Sequence, residues 1–113
     1  MTNVQILLNR VVEGLKEKGY KPYWINYIHT PDENNIFPRT TIDVKETVRM
    51  NHNNLENVTV TIGITRWRRT EYGGHRGIKG ETVKVPANAS EKVLKNRINK
   101  VIEAYQRLDA IEE

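Results

Sequence analysis

Val4, Leu7, Leu8, Val11, Val12 and Leu15 recur at spacings of three and four residues. On a helix that period gathers them into one apolar stripe, which predicts an amphipathic helix from Asn3 to Lys18. Asn9, Arg10, Glu13, Lys16 and Glu17 take its wet side. Thr2 with Gln5 fits a capping box at its start, and Gly19 stands where a left-handed C-terminal cap belongs. A second stripe, Leu94, Ile98, Val101, Ile102, Tyr105 and Leu108, predicts a C-terminal helix, with Asn88 and Glu91 spaced to cap it.

Between these stripes the period changes to two. Thr40, Ile42, Val44, Glu46, Val48 and Met50 alternate with Thr41, Asp43, Lys45, Thr47 and Arg49, as in a strand with one buried face. After a polar turn region, 51–57, Val58, Val60, Ile62 and Ile64 alternate with Thr59, Thr61, Gly63 and Thr65. The two runs predict a long antiparallel hairpin. Both apolar sets are even-numbered, so pairing must keep that parity, or one strand would turn its apolar set to water. Glu46 opposite Ile62 and Ile42 opposite Arg66 is one register that does so. A strand from Thr40 to Met50 spans roughly 36 Å at ~3.3 Å per residue, so the hairpin is expected to project past its core. Glu46, the one charge in the apolar phase, is expected to mark where the core stops or a partner begins.

Tyr23 to His29, rich in aromatic and branched residues, predicts one short strand. Thr30 to Pro38 reads as a loop of turn formers, with Pro31, Asp32, Asn34, Asn35 and Pro38. Glu81 to Val85 predicts a last short strand, ended by Pro86. The expected fold is α+β. It is a single domain over 1–113 in the order α-β-β-β-β-α, with a mostly antiparallel sheet packed against N- and C-terminal helices.

Composition narrows the function classes. Among 113 residues, 37% are apolar. That lies below the usual ~45–50%, a benchmark that also counts Gly, and suits a subunit that finishes its core against neighbours. The absence of Cys excludes a disulfide framework, a thiolate metal site and a cysteine nucleophile. Apolar runs such as Ile6-Leu7-Leu8 fall far short of the ~20 residues that cross a bilayer. No apolar signal-peptide segment heads the chain. The expectation is a soluble protein without membrane contact, kept where it is made or built into a particle assembled there.

The net charge is +4, and it belongs to one segment. Arg66, Arg68, Arg69, Arg76 and Lys79 lie between Arg66 and Gly80, opposed there only by Glu71; the remaining charges cancel. The same segment holds Gly73, Gly74, Gly77 and Gly80, with Trp67, Tyr72 and His75. It reads as a flexible basic loop able to grip phosphate or carboxylate. Arg66, Trp67, Arg68, Arg69, Tyr72, Arg76 and Lys79 are therefore the candidate DNA or partner contacts. Trp67, in the outward phase of its strand beside two arginines, is the expected interface anchor.

Catalytic signals are weak, and no enzyme activity, cofactor or metal is expected. His29, His52 and His75 are scattered without helical metal-site spacing. Gly73-Gly74-His75-Arg76-Gly77 is a loose glycine cluster and not a phosphate-binding fingerprint. Pro31-Asp32 followed by Asp43-Val44-Lys45 resembles the motif of restriction-type (PD-D/E-x-K) nucleases. Such a resemblance implies that Asp32 and Asp43 hold a divalent metal and that Lys45 orients the attacking water. An exposed alternating strand face produces D-x-K by chance, and a hairpin strand follows here where that family has a helix.

The order of elements resembles the tail terminator (tail completion) proteins of long-tailed bacteriophages. An amphipathic helix, Val4 to Leu15, precedes a loop ending Asn35-Ile36-Phe37-Pro38. That loop runs straight into a long hairpin, Thr40–Met50 with Val58–Arg66, before a further helix. The resemblance implies a structural virion protein forming a homo-oligomeric ring, in that family usually a hexamer, at the head–tail junction. Its partners would be other tail and connector proteins, and it would be assembled in the host cytoplasm. The basic loop would then face DNA in the lumen or acidic neighbours. The alternative is a small nucleic-acid-binding module. Helix, three strands and helix is also the coarse order of double-stranded-RNA-binding domains, which read shape and phosphates. Five phosphate contacts would give a log–log salt slope near −4.5.

Overall fold

The computed structural model describes residues 4–24, 27–32, 37–50 and 56–112. Thr2 of the predicted capping box, Asn34, the Asn35-Ile36 half of the loop motif, His52 and the start of the polar turn region lie outside the described residues. The elements are α1 (Val4–Glu17), β1 (Tyr23–Trp24), β2 (Ile28–Pro31), β3 (Pro38–Met50), β4 (Glu56–Arg69), β5 (His75–Pro86) and α2 (Glu91–Asp109). The five strands form one antiparallel sheet in sequence order.

α1 ends as its sequence predicts. Gly19 has φ +89°, its N–H bonds to Lys16 O at 3.0 Å, and the Tyr20 N–H reaches Leu15 O at 3.1 Å. This is a Schellman cap, and the left-handed residue at its centre favours glycine. α2 starts at Ser90 and not at Asn88: the Ser90 hydroxyl accepts from the Val93 N–H at 3.3 Å. Asn88 is used up in a turn closed by the Ala89 N–H on Pro86 O. Glu91 then sits in the first helical turn, and Arg10 of α1 grips it through both terminal nitrogens at 2.7 and 3.2 Å. That hydrogen bond holds the Glu91 carboxyl below its usual range.

The long hairpin has the expected parity but not the expected register. Ile42 pairs with Ile64 and Glu46 with Val60, two residues away from the register read from sequence. Face polarity permits any even-numbered slip, so the pattern alone fixes only the parity. Even positions of β3 and β4 face the helices. Ile42, Val60, Ile62 and Ile64, with Ile28 and Val85, meet Leu7, Leu8, Val11 and Leu15 of α1. Ile98, Val101, Ile102, Tyr105 and Leu108 of α2 complete this core. Val44 is half-buried, whereas Glu46 and Val48 are exposed, so the core stops at Glu46 as expected.

Three segments differ from the sequence expectation. Tyr23–His29 is not one strand. Tyr23 pairs with His29 and Trp24 with Ile28, so the chain turns back on itself, and the apolar residues on both faces reflect that reversal. The expected loop from Thr30 contains the end of β2, where Thr30 pairs with Thr40 and Pro31 with Pro38. Proline is tolerated there because the sheet is ending and its missing N–H removes no interior bond. The expected basic loop is largely a hairpin: β4 continues to Arg69 and β5 begins at His75, six residues before the predicted Glu81. The fold is α+β as expected, with five strands instead of four.

Both helices lie on one face of the sheet. The other face carries Thr41, Asp43, Lys45, Thr61, Thr65 and Thr82, and no described helix covers it. The molecule measures 52 × 31 × 22 Å because both hairpins overrun the helical layer.

Candidate functional site

The basic segment forms a finger at one end of the sheet. Its tip, Thr70 to Gly74, is closed by the Gly73 N–H on Thr70 O at 3.2 Å and the Thr70 N–H on Gly74 O at 2.9 Å. Gly73 has φ +84°. This is a turn closed by a left-handed residue, a three-residue connection that suits the twist of the flanking strands. Tyr72 stands at the tip and is 95% exposed. Gly77 does not loosen the finger. A Cβ there would lie 3.3 Å from Thr65 Cγ2 and 3.6 Å from the Trp67 ring, so the glycine gives the indole room to lie over the strand. Trp67 pairs with Gly77, and Ile78 bulges out between that pair and Arg66–Lys79.

The sequence-predicted contacts divide into two groups. Arg68, Arg69, Arg76, Lys79 and Tyr72 are exposed on the finger. Arg68 and Arg76 are directly opposed across the hairpin, which places two like charges side by side. Among the described residues no carboxylate forms an ion pair with any of these four cations. Arg66 is different: it is 2% exposed and cannot meet a partner. Its Nε and Nη2 donate to Ile111 O at 3.3 and 3.1 Å. Its Nη1 donates to Arg39 O at 3.3 Å and to Trp67 O. Its even position turned it toward the helices, where the chain beyond α2 closes over it. Trp67 keeps the outward phase expected of it, on the face away from the helices, but lies half-buried there. Its indole N–H donates to Thr41 Oγ1 at 2.8 Å, and its ring meets His75 edge-on at 5.1 Å, with Phe37 5.0 Å from His75.

Sequence reasoning missed a groove of about 810 Å³ beside the finger. β2 covers β3 only as far as the Ile28–Ile42 pair, so from Asp43 onward this edge of β3 has no described strand beside it. The opening is lined by Trp24, Tyr27, Asp43, Glu46, Trp67 and His75, among others. Among the described residues, Asp43 and Glu46 are the only carboxylates in its lining, and no Lys or Arg lines it. Trp24, Tyr27 and Tyr23 are exposed along the β1–β2 turn. The available signals were those surface aromatics and the lone Glu46. Without knowing where β2 ends, nothing joined them.

The proposed nuclease ligands do not come together. The Asp32 N–H bonds to Phe37 O at the start of β3, and Asp43 lies six residues along, about 20 Å at ~3.3 Å per residue. Asp43 instead lies over Gly63, where an added Cβ would fall 2.4 Å from Oδ1. Among the described residues no three His, Asp or Glu side chains form a metal-binding group. No described helix is long and apolar enough to cross a membrane.

No protein-family model matches the chain, and neither the curated proteins nor the solved structures contain a significant match to it.

Proposed function

We propose that this chain is a structural subunit of a homo-oligomeric ring, the tail terminator of a long-tailed bacteriophage, seated at the head–tail junction. The observation that carries the reading is a sheet that the described helices cover on one face only, with edges no described strand pairs and hairpins that overrun its core. Open strand edges and exposed aromatic side chains are costly in a monomer and are usually capped or covered. A neighbouring copy would cover them. The order of helix, long hairpin and further helix supports the resemblance to that family. The cationic finger supplies a surface for DNA in a lumen or for an acidic connector protein. Negative-stain electron microscopy of the purified chain should show closed rings, and immunogold label should mark the head–tail junction of the particle. Label elsewhere on the particle would defeat the assignment.

A second reading, a nucleic-acid-binding module, is favoured by the four finger cations that no carboxylate pairs among the described residues. Arg66 is withdrawn from the count, so four phosphate contacts would give a log–log salt slope near −3.6 in a band-shift titration. Binding independent of salt, or no binding, would reject it.

A further inference from the structure

The finger and the groove are opposite in charge and complementary in chemistry. The finger offers Arg68, Arg69 and Arg76 around the exposed ring of Tyr72, with no carboxylate engaging those cations among the described residues. The groove wraps the open edge of β3, with Asp43 on the face away from the helices, Glu46 on the helix side and the aromatic residues Trp24 and Tyr27 also in its lining; among the described residues no Lys or Arg lines it. We infer that the β4–β5 finger of one copy seats in the β3-edge groove of a second copy, making a head-to-tail contact. The inference rests on the assembly reading above and names the surfaces that would carry it.

The physical argument has three parts. The first is charge. A guanidinium can pair with Asp43 or Glu46 and stack on Trp24 or Tyr27 in the same contact. Among the described residues no strand pairs with the groove edge of β3 from Asp43 onward, which leaves backbone N–H and C=O groups for the polar turn of a hairpin tip. The second is fit. About 810 Å³ is the size of a site that buries a large side chain with its flanking residues. Tyr72, at a tip already braced by two backbone hydrogen bonds, is preorganised to be that anchor. The third is geometry. Trp67 and His75, on the finger itself, line the mouth of its own groove. The strand pairs from Trp67–Gly77 to Arg69–His75 keep the tip directed away from it. The finger therefore cannot fill its own groove and must use another copy's. Two different patches meeting in this way form a heterologous contact, which closes into a ring when the rotation permits and otherwise grows into a filament.

Sedimentation velocity on the full chain tests this with two variants. The finger variant carries Arg68→Gln, Tyr72→Ala and Arg76→Gln, which leave no charge to answer a reversed groove; the groove variant carries Asp43→Lys and Glu46→Lys. Each alone should lose self-association by about 100-fold in Kd, the scale of an anchor cluster. Mixed, they should form one-to-one dimers that grow no further, because the mixture holds one intact finger for each intact groove. Tyr72→Ala and Glu46→Lys, single changes at exposed positions, guard against a misfolded multiple variant and should each weaken association in the same direction. Wild-type association in both variants, or no dimer on mixing two folded variants, would overturn the inference. Rings that persist in both variants would overturn it while leaving the ring reading intact. Finger-to-groove dimers from a wild type that forms only open chains would support it and reject the ring.

Discussion

At Arg66 a buried guanidinium holds the carbonyls of Arg39, Trp67 and Ile111, three points far apart in sequence. A cation out of water is tolerated only where hydrogen bonds replace hydration. Arg66→Met leaves those carbonyls unsatisfied and releases the segment after α2. It should cost about 2–4 kcal/mol in urea unfolding, whereas Arg68→Ala on the exposed finger should stay within about 0.5 kcal/mol. Nothing local in the sequence separates these two arginines; both are even-numbered, and only the reach of the helical layer distinguishes them. His29 makes a second residue-scale case. Its ring lies 5.2 Å from both Tyr23 and Tyr27, and its buried Nδ1 has no hydrogen-bond partner among the described residues. Burial lowers its pKa below the ordinary 6.5. The unfolded chain therefore binds a proton at higher pH than the folded chain, and proton uptake favours unfolding. Its contribution is fully present above the ordinary value and drains away as pH falls through it. The urea midpoint of the wild type should drop more between pH 7.5 and 5.5 than that of His29→Phe. Equal drops would place the titration elsewhere.

At the scale of elements, α1 and α2 cross where Gly14 faces Ile102. A Cβ at Gly14 would stand 2.3 Å from Ile102 Cδ1, so any side chain there must turn the end of Ile102 aside. Gly14→Val, with two further methyl groups to place, should lower stability by about 1–3 kcal/mol in a thermal melt, the usual cost of overpacking. Tyr105 ties α2 to the sheet: its hydroxyl donates to Thr40 O at 3.3 Å and contacts Thr30 Oγ1, and its ring meets Tyr20 edge-on. Both the helices and the long hairpin were legible because periods of 3.6 and 2 are local properties of the chain. The finger was not. Gly73, Gly74, Gly77 and Gly80 count as breakers when read in line, yet Gly77 sits in a strand because Trp67 across the ladder needs its space. The β1–β2 reversal was missed for a related reason: seven apolar-rich residues suit one strand as well as two half-strands.

The whole molecule has a radius of gyration of 15.4 Å, against about 13 Å for a compact domain of this length. The excess comes from hairpins extending beyond the helices, which is a poor arrangement for an isolated monomer and a useful one for a subunit. If the finger and the groove hold copies together, attraction between exposed charges contributes, and salt screens it within about 8 Å at physiological ionic strength. Raising the salt tenfold should shift the sedimentation profile toward monomer. An assembly unmoved by salt would have to rest on apolar contacts, with the Tyr23–Trp24–Tyr27 surface the first place to look.

Alternation and helical spacing alone determined the class of fold, the two helices, the parity of the long hairpin and the place where its core ends. These depend on neighbours within a turn or a strand, and a single apolar face imposes them. Register, the strand at the finger, the burial of Arg66 and the existence of the groove were decided only in three dimensions. Each depends on where a distant segment stops. β2 ends at its pairing with β3 and leaves an edge open, and the chain after α2 reaches far enough to cover one arginine but not the next.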